Sequence, residues 1–354
     1  MEERLDVVIV AGDFPQEVLG KEERDRIRLS VDGIPASLNF LDLYFQSNRN
    51  SQTALRRLKA EAPPFVSLNG PYLRQFLESR GFRVELISLF SSEKESLARA
   101  LSRGPRAVVL STTFLPFAAQ IDALAASIKR QAPGSLLIAG GIQIWKSFQH
   151  RNLAEKGAIA PDIQAAVSEH NYLMDPLRKS PVDLFVVSDT GEETLAAILG
   201  CLREDADFRK LNNVAWHTDE GWRINPVTPE PYHEVQVDWS RVGMKPAAAY
   251  LPVQAGLGCG FRCTFCDFAG LRPVRVREPR SLVNEIRTMP SYQGVRRVYF
   301  TDDNLFPTRQ RVKEVCADDI RRGRGCPGAG AGNPEGGVVP QLRHGSAGGR
   351  GDEP

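Results

Sequence analysis

Three of the six cysteines of this 354-residue chain lie within eight residues. They are Cys259, Cys263 and Cys266, with the spacing C-x3-C-x2-C. Thiolates at these intervals can converge on one side of a loop and hold three corners of a cubane iron–sulfur cluster. A structural zinc site needs four ligands, and the next candidates, Cys316 and His233, are distant in the sequence. The spacing therefore favours an iron–sulfur cluster with one open iron position.

Short elements flank the three cysteines. The pattern predicts a strand over Tyr250–Gln254 that leads directly into the motif. Gly256, Gly258 and Gly260 lack a Cβ atom, so we expect the backbone to approach the sulfurs closely and donate amide hydrogen bonds to them. Downstream, the periodicity predicts a helix, a strand and a second helix over Ser281–Thr288, Arg297–Thr301 and Thr308–Ile320. Together these elements are two βα units.

The cysteine motif resembles the signature of the radical S-adenosylmethionine enzymes, because Phe265 directly precedes the last cysteine and a strand precedes the first. The resemblance implies that Cys259, Cys263 and Cys266 bind a 4Fe-4S cluster, and that Phe265 lies near the adenine of S-adenosylmethionine. It implies reductive cleavage of that cofactor to a 5′-deoxyadenosyl radical. A small-molecule substrate and a reductant such as flavodoxin or ferredoxin are the implied partners.

A second part of the resemblance lies downstream, where Val298–Phe306 is similar to the second strand of the family's barrel. Many members end that strand with Gly-Gly-Glu, which contacts the methionyl amino group. This chain has Asp302, Asp303 and Asn304 instead, similar to an Asp-Asp variant of the subgroup that carries a cobalamin-binding domain. The resemblance implies that these residues bind S-adenosylmethionine, since a carboxylate suits an ammonium group. The alternative is a turn or helix-cap acid.

Residues 1–205 alternate apolar runs with amphipathic segments. Strands are predicted over Asp6–Ala11, Phe82–Ile87, Ala107–Ser111, Leu136–Ala139 and Asp183–Val187. Helices are predicted over Val66–Arg80, Glu93–Arg103, Phe117–Gln131 and Glu192–Arg203. Strands separated by helices indicate parallel βαβ units, so we expect a doubly wound, Rossmann- or flavodoxin-like parallel sheet of the α/β class. Two long connections, Ser30–Pro64 and Ile144–Ser180, are predicted to be insertions.

Three polar or glycine-rich segments follow predicted strands of this α/β domain: Leu110–Thr113, Ala139–Gly141 and Asp189–Thr194. Ligands of open α/β sheets bind outside the carboxyl ends of the strands. With the resemblance to the cobalamin subgroup, the segments predict a cobalamin site. The Asp-x-His-x-x-Gly motif that supplies an axial histidine in one class of these domains is absent. The domain therefore either binds cobalamin without that histidine or serves as a substrate platform, and for the acidic third segment we favour a helix cap.

The rest of the chain divides by composition. Asn213–Ile224 alternates around a turn and predicts a β-hairpin, and the proline-rich Asn225–Pro246 predicts an extended linker. We therefore expect four parts: an α/β domain over 1–205, a hairpin and linker over 206–249, a partial radical S-adenosylmethionine domain over 250–320, and a tail over 321–354. We also expect Arg272, Arg275 and Arg277 to form a solvated face.

The tail contains 11 glycines and 4 prolines among 34 residues, with no hydrophobic period, and predicts disorder. It resembles a GC-rich gene translated out of frame, so we expect a C-terminal truncation. The family's barrel has about six βα units, and two units cannot enclose a radical. We therefore expect this chain by itself to be inactive.

Composition limits the remaining possibilities. The net charge of +2 argues against nucleic-acid binding, and the sequence contains no apolar run of the roughly 18 residues that a membrane span needs. The N-terminus does not resemble a signal peptide, so we expect a cytoplasmic protein. The sequence predicts a radical S-adenosylmethionine iron–sulfur enzyme with cobalamin-dependent methyl transfer or rearrangement as its reaction. The alternative is a non-catalytic, corrinoid- or partner-binding α/β protein with a structural metal clip.

Overall fold

The computed structural model describes residues 4–12, 30–31, 34–35, 67–88, 90, 93–115, 117–161, 164, 171–175, 178–242, 251–261, 263, 273–289 and 298–302. Within these ranges, no helix is both long and apolar enough to span a bilayer. Phe265, Cys266, Asp303 and Asn304 lie outside the described residues, as do the second predicted βα helix and the predicted tail.

Nine strands occur in the N-terminal two thirds of the described chain. They are β1 (Val7–Val10), β2 (Ser30–Val31), β3 (Ile34–Pro35), β4 (Val84–Ile87), β5 (Ala107–Ser111), β6 (Leu136–Gly140), β7 (Leu184–Val186), β8 (Val214–Thr218) and β9 (Gly221–Ile224). Seven of them form one sheet in the order β4-β1-β5-β6-β7-β8-β9. The first five of that order are parallel, and β8 and β9 are antiparallel. The parallel strands thus have the 2-1-3-4-5 order of flavodoxin-like folds, which confirms the predicted α/β class.

Five helices cover both faces of this sheet: α1 (Asn69–Ser79), α2 (Lys94–Ser102), α3 (Ala118–Gln131), α4 (Ile142–Glu155) and α5 (Glu192–Glu204). Successive side chains of a strand point to opposite faces. In β1, Val7 and Ile9 join the apolar cluster under α1 and α5, whereas Val8 and Val10 join the cluster under α2, α3 and α4. Every residue of β1 is buried, which explains why this strand is a continuous apolar run.

The predicted hairpin is present as β8 and β9, and it extends the sheet beyond β7. The segment after it is extended, as expected, up to a short 3₁₀ turn at Trp239–Arg241. Two contacts anchor this segment. Gln75 of α1 exchanges two hydrogen bonds with the backbone of Asp238, each 2.8 Å, and the fully buried Trp239 donates its indole N–H to Glu285.

The elements around the cysteines form a second group. They are β10 (Leu251–Val253), β11 (Gly256–Leu257), β12 (Arg275–Val276), α6 (Pro279–Thr288) and β13 (Val298–Phe300). β10 pairs in parallel with β13, as expected for consecutive βα units, and β11 pairs antiparallel with β12. The second ladder closes the ends of residues 258–274, hereafter the cysteine loop. Leu251, Val253 and Leu282 belong to the same apolar cluster as α1 and α5, so the two groups share one core.

Candidate functional site

A cavity of about 490 Å³ lies at the carboxyl end of the parallel strands. This volume is within the roughly 300–1,000 Å³ of small-molecule sites. All three segments singled out in the sequence reach it, through Ser111, Thr113, Gly140, Gly141, Asp189, Thr190, Gly191 and Glu192. The opposite wall comes from the second group of elements, through Gln254, Leu257, Tyr299 and Thr301. The cavity therefore lies between the sheet edge and the strands that carry the cysteine loop.

Close backbone contacts shape the sheet side of the cavity. Gly141 has a φ of +112°, and a Cβ atom there would lie 3.2 Å from the Thr112 hydroxyl oxygen and 3.3 Å from the Thr112 backbone nitrogen. Thr112 in turn donates its hydroxyl to the carbonyl of Gly140 at 3.0 Å. Only glycine fits position 141 without strain. The glycines at the end of β6 therefore let the backbone approach Thr112 closely and place no side chain across the entrance of the cavity.

One wall of the cavity carries four polar side chains, Ser67, Tyr72, Thr190 and Glu192, hereafter the polar wall. Ser67 and Thr190 each have a buried hydroxyl without a hydrogen-bond partner among the described residues, whereas the Tyr72 hydroxyl and the Glu192 carboxylate interact with each other. Burial raises the pKa of Glu192, and the nearby carboxylate of Glu230 raises it further. Burial followed by the charge of Glu192 raises the pKa of Tyr72. No sequence motif marks Ser67 or Tyr72. Ser67 lies just before α1, and Tyr72 lies in its first turn as one of the ordinary buried positions of the helix.

The N-terminus of α5 is capped by a distant residue. Gly191 and Thr194 donate backbone N–H groups to the two carboxylate oxygens of Glu230, at 2.8 and 3.1 Å. Asn213 donates its side-chain amide to the same carboxylate at 3.1 Å. The predicted acids Glu192 and Glu193 do lie in the first turn of α5, but the N-cap residue is Gly191, so the predicted side-chain cap from Asp189 or Thr190 is absent. The carboxylate comes instead from the extended segment, which a local pattern cannot reveal.

The cysteine loop is closed by a tight backbone approach. A Cβ atom on Gly256 would lie 2.9 Å from the carbonyl oxygen of Arg275, and Gly258 has a φ of +80°. These two glycines therefore serve the closure of the loop. Cys259 is half-buried and Cys263 is exposed, and both are free thiols. In the part of the chain that the structure describes, no three metal-ligating side chains form a group, but Cys266 lies outside that part.

Asp302 lies directly beyond β13 and contacts the start of the cysteine-loop region. Its carboxylate accepts backbone N–H groups from Ala255, at 3.1 Å, and from Gly256. Thr301, one residue earlier, donates its backbone N–H to Val253 at 2.9 Å and lines the cavity. Asp302 thus joins the ends of β10 and β13. A contact between Asp302 and S-adenosylmethionine stays a prediction.

The expectation that Arg275 and Arg277 are solvated is wrong. Arg277 is 1% exposed and forms an ion pair with the fully buried Glu285 of α6. Arg275 lies 3.1 Å from Asp189 of the cavity rim, and its guanidinium lies 5.3 Å from the centre of the Tyr232 ring. Both arginines find partners far away in the sequence, so their charge alone was a poor guide to exposure. Arg275 links the cysteine loop to the cavity.

Comparisons with known proteins agree with this arrangement. No protein-family model matches the chain. The chain is 27% identical over 155 residues to an anaerobic magnesium-protoporphyrin IX monomethyl ester cyclase of Synechocystis, which covers 41% of this chain and 31% of the relative. It is 24% identical over 199 residues to the cyclase of the same name from Rubrivivax gelatinosus, over 51% of this chain and 35% of that relative. The chain thus spans about a third of the length of these relatives.

Solved structures show the same fold. The radical S-adenosylmethionine methyltransferase TsrM from Kitasatospora setae, with cobalamin and a [4Fe-4S] cluster bound, matches with a TM-score of 0.53 at 16% identity, over 75% of this chain and 50% of TsrM. TsrM with tryptophan and an S-adenosylmethionine analogue bound matches with a TM-score of 0.52 at 18% identity, over the same shares. The resemblance predicted from the cysteine motif is confirmed.

Proposed function

We propose that this chain, which resembles the cobalamin-associated radical S-adenosylmethionine enzymes in sequence and fold, forms the corrinoid-binding and cluster-binding part of such an enzyme. One observation carries the proposal. The cavity at the carboxyl edge of the sheet is also lined by Leu257, which lies two residues before Cys259. A corrinoid at the sheet edge and a cluster in the cysteine loop would therefore share one chamber.

The cysteine loop fits a cluster by its donor set. Cys259 and Cys263 are free thiols on the loop, and with Cys266 they would hold three irons. Bound there, a 4Fe-4S cluster with S-adenosylmethionine supplies reductive cleavage of the sulfonium to a 5′-deoxyadenosyl radical. The chain itself holds the start of the cysteine loop in a fixed position. The β11–β12 ladder and the hydrogen bonds from Ala255 and Gly256 to Asp302 fix the start of the loop relative to the cavity.

The cavity fits a corrinoid by its chemistry. Its floor is apolar, with Val109, Ile138, Val186 and Leu195 facing the ligand space. Such walls exclude water, which strengthens each hydrogen bond made inside. The polar wall supplies the buried hydroxyls of Ser67 and Thr190, which lack partners within the described chain, and an unsatisfied buried oxygen costs stability unless a ligand pairs with it. The Asp-x-His-x-x-Gly motif is absent, and His233, which lines the cavity, has its Nε2 at 2.6 Å from Glu193. We therefore propose that the corrinoid is held through its periphery.

The proposal extends to reaction and partners. Methyl transfer or rearrangement at an unactivated carbon of a small-molecule substrate is the reaction class, and a flavodoxin or ferredoxin is the proposed reductant. The near-neutral charge of +2 supports a cytoplasmic protein that binds neither nucleic acid nor membrane. The chain covers only about a third of its curated relatives, and their activity is proposed for the enzyme of which this chain would be part.

Iron content tests the cluster. The chain is reconstituted anaerobically with iron and sulfide, and we expect a brown protein with about four irons per chain. The triple variant Cys259→Ala, Cys263→Ala, Cys266→Ala loses this iron. Cys201→Ala is the matched control, because Cys201 is a free, half-buried thiol in α5 outside the loop, and it keeps full iron content. A colourless protein with one zinc ion would contradict the cluster and support the alternative of a structural metal clip.

Cofactor binding tests the cavity. Titration of the full chain with hydroxocobalamin, followed by its visible spectrum and by calorimetry, is expected to give saturable binding of one equivalent. Gly141→Val would fill the rim against Thr112 and should abolish that binding. Gly81→Val is the control for the left-handed backbone, since Gly81 has a φ of +79° with nothing within 4 Å of its Cβ position. Equal binding by both variants would contradict a corrinoid at the sheet edge.

A further inference from the structure

Among the described helices, three begin at the cavity, and they differ in what their N-termini bind. At the start of α5, Gly191 and Thr194 donate backbone N–H groups to the carboxylate of Glu230. The first turns of α1, from Asn69, and of α4, after Gly141, contain no acid, and neither helix has a side-chain cap at its N-cap residue. The first N–H groups of a helix have no partner inside the helix and carry the positive end of its dipole. The starts of α1 and α4 therefore offer donors to a ligand.

A buried hydroxyl beside the start of α1 also lacks a partner. Ser67 is 1% exposed, lines the cavity and has no hydrogen-bond partner among the described residues. More than 90% of buried polar groups in proteins have a partner. Backbone N–H groups only donate, whereas a serine hydroxyl can donate or accept. A ligand group that satisfies both the helix start and this hydroxyl must therefore accept hydrogen bonds.

The starts of α1 and α4 converge on one side chain. Asn69 donates its side-chain amide to the hydroxyl oxygen of Thr113. A Cβ atom on Gly141 would lie 3.6 Å from the same oxygen. All three residues line the cavity together with Ser67. The two helix N-termini therefore act on one part of the cavity, which favours an anionic group there.

The charged groups of the cavity limit how much negative charge fits. Among the described residues that line it there is no lysine or arginine. The lining acids have partners of their own, since Asp189 lies 3.1 Å from Arg275. Glu192 interacts with the hydroxyl of Tyr72 and with the charge of His233. An anion would therefore be bound by backbone N–H groups and hydroxyls, which suits a phosphodiester with its single negative charge.

We propose that the N-termini of α1 and α4 and the hydroxyl of Ser67 bind the phosphodiester in the nucleotide loop of the corrinoid. This inference rests on the proposed function and deepens it by naming the group that the cavity recognises. Ser67 is then a specificity-determining residue, because it favours corrinoids that carry a phosphate over those that lack one.

The first test compares three corrinoids on the full chain at pH 7. Cobinamide lacks the nucleotide loop, cobinamide phosphate adds the phosphate alone, and hydroxocobalamin carries the complete loop. We expect the two phosphate-bearing corrinoids to bind about tenfold more tightly than cobinamide, because helix N-termini and hydroxyls stabilise the phosphate. Inorganic phosphate, added at constant ionic strength, should compete with cobinamide phosphate and leave the binding of cobinamide unchanged.

A serine variant tests the buried hydroxyl. Ser67→Ala should weaken cobinamide phosphate about three- to tenfold without changing the affinity for cobinamide, because one donor to the phosphate is lost. Ser88→Ala is the matched control. Ser88 is also fully buried, with a hydroxyl that lacks a partner among the described residues, but it does not line the cavity. This control should change neither affinity.

An asparagine variant tests the helix N-terminus. Asn69→Asp places an acid in the first turn of α1, which stabilises a helix but repels an anionic ligand. The variant should unfold at a higher urea concentration than wild type and bind cobinamide phosphate about tenfold more weakly, with cobinamide unaffected. A merely structural role of Asn69 would not give effects of opposite sign on stability and binding. Asn152→Asp, near the last turn of α4, should leave both affinities unchanged.

The outcomes separate this inference from the proposed function. Failure of the wild-type chain to bind any of the three corrinoids would overturn the proposed function. Equal affinities for cobinamide and cobinamide phosphate would overturn the phosphate subsite and leave the proposed function in place. The subsite would also be overturned if Ser67→Ala or Asn69→Asp weakened cobinamide as much as cobinamide phosphate.

Discussion

The two edges of the parallel sheet differ in whether their buried polar side chains have hydrogen-bond partners. At the amino edge, Asp6 is 1% exposed. Its carboxylate accepts hydrogen bonds from the guanidinium of Arg203 at 2.7 Å and from the backbone N–H of Arg83 at 2.8 Å. Arg106 lies 3.7 Å from the same carboxylate, which is an ion-pair distance, and its buried Nε makes no hydrogen bond among the described residues. At the carboxyl edge, Ser67 is equally buried, at 1% exposed, yet its hydroxyl has no hydrogen-bond partner within the described chain.

This difference in pairing indicates that the two edges have different roles. A buried charge that is fully paired stabilises the fold relative to the same charge unpaired, and its removal is costly. A buried polar group without a partner costs stability, and evolution tolerates it where binding or chemistry needs it. The pairing at the amino edge therefore stabilises the sheet, and the unpaired hydroxyls at the carboxyl edge support the proposal that a ligand binds there. The predictions below test that division through stability measurements on the chain without ligand.

The largest effect is expected for Asp6→Asn. The variant leaves Arg203 and Arg83 without their carboxylate, which should cost about 2–3 kcal/mol of unfolding free energy at pH 7. Burial raises the pKa of Asp6, but the hydrogen bonds from Arg203 and from the Arg83 backbone outweigh burial and lower it below 3.8. The stabilisation is therefore present above pH 3.8 and is lost as the pH falls through the lowered pKa.

Urea unfolding between pH 2.5 and 7 measures this contribution. The gap between wild type and Asp6→Asn should close towards the acidic end. Asp183→Asn is the matched control, because Asp183 lies at the same edge and pairs with Lys129 but has a side chain that is 35% exposed. Its loss should cost less than about 1 kcal/mol. Equal costs for the two variants would contradict the special role of the buried carboxylate.

A smaller loss is expected for Glu230→Gln, which alters the cap of α5. A glutamine keeps one acceptor oxygen and places an N–H₂ group against the donor N–H groups of Gly191 or Thr194. The expected cost is about 2 kcal/mol in thermal or urea unfolding. Glu220→Gln changes the same charge in the exposed turn between β8 and β9 and should have no measurable effect. A Glu230→Gln protein as stable as wild type would show that the cap is dispensable.

The next effect has the opposite sign. Ser67→Ala removes a buried hydroxyl without a partner among the described residues, so the chain without ligand should become more stable by about 1 kcal/mol. Tyr172→Phe provides a comparison with a buried hydroxyl that has partners. The hydroxyl of Tyr172 contacts Asp122 at 2.7 Å and the carbonyl of Ala118 at 2.9 Å, so its removal should destabilise the fold by about 1 kcal/mol. Destabilisation by both substitutions would remove the contrast between the edges.

The smallest effect concerns pH and Glu192. Burial raises the pKa of Glu192 above its ordinary value of 4.5, and the charge of Glu230 adds to the rise. A raised carboxyl pKa means that the fold prefers the protonated acid, so this residue costs stability as the pH rises from 4.5 through the raised value. Glu192→Gln should therefore gain stability relative to wild type between pH 4.5 and 7. A constant difference in unfolding free energy between the two proteins over that range would contradict the raised pKa of Glu192.

Much of the fold was predictable because its determinants are local. The apolar runs at Val7–Val10 and Ala107–Ser111 are strands, and the alternation over Val214–Ile224 is a hairpin. The amphipathic period was sufficient to predict the helix that the chain forms over Pro279–Thr288. The segment from Ile144 was predicted to be part of an insertion, yet its first twelve residues belong to the crossover helix α4, Ile142–Glu155. Its apolar period is weak, and only its place after β6 identifies it.

The candidate site was predictable only in its chemistry. The cysteine spacing and the three segments after strands were visible in the sequence, and the structure brings those segments together in one cavity. The partners of charged residues were not visible. Arg277 was expected to be solvated and is buried against Glu285, and Glu230 carried no signal for its place at α5. Such pairings join residues far apart in the chain, so no local pattern encodes them.

The amino-acid sequence by itself determined the types of element and the α/β class and predicted which cysteines would hold a cluster, since hydrophobic periods and cysteine spacing act over a few residues. Only the tertiary structure decided the strand order, the cap on α5 and the contrast between the two edges of the sheet. These depend on which distant groups meet once the apolar faces are buried. Whether a buried oxygen has a partner is a property of that three-dimensional packing.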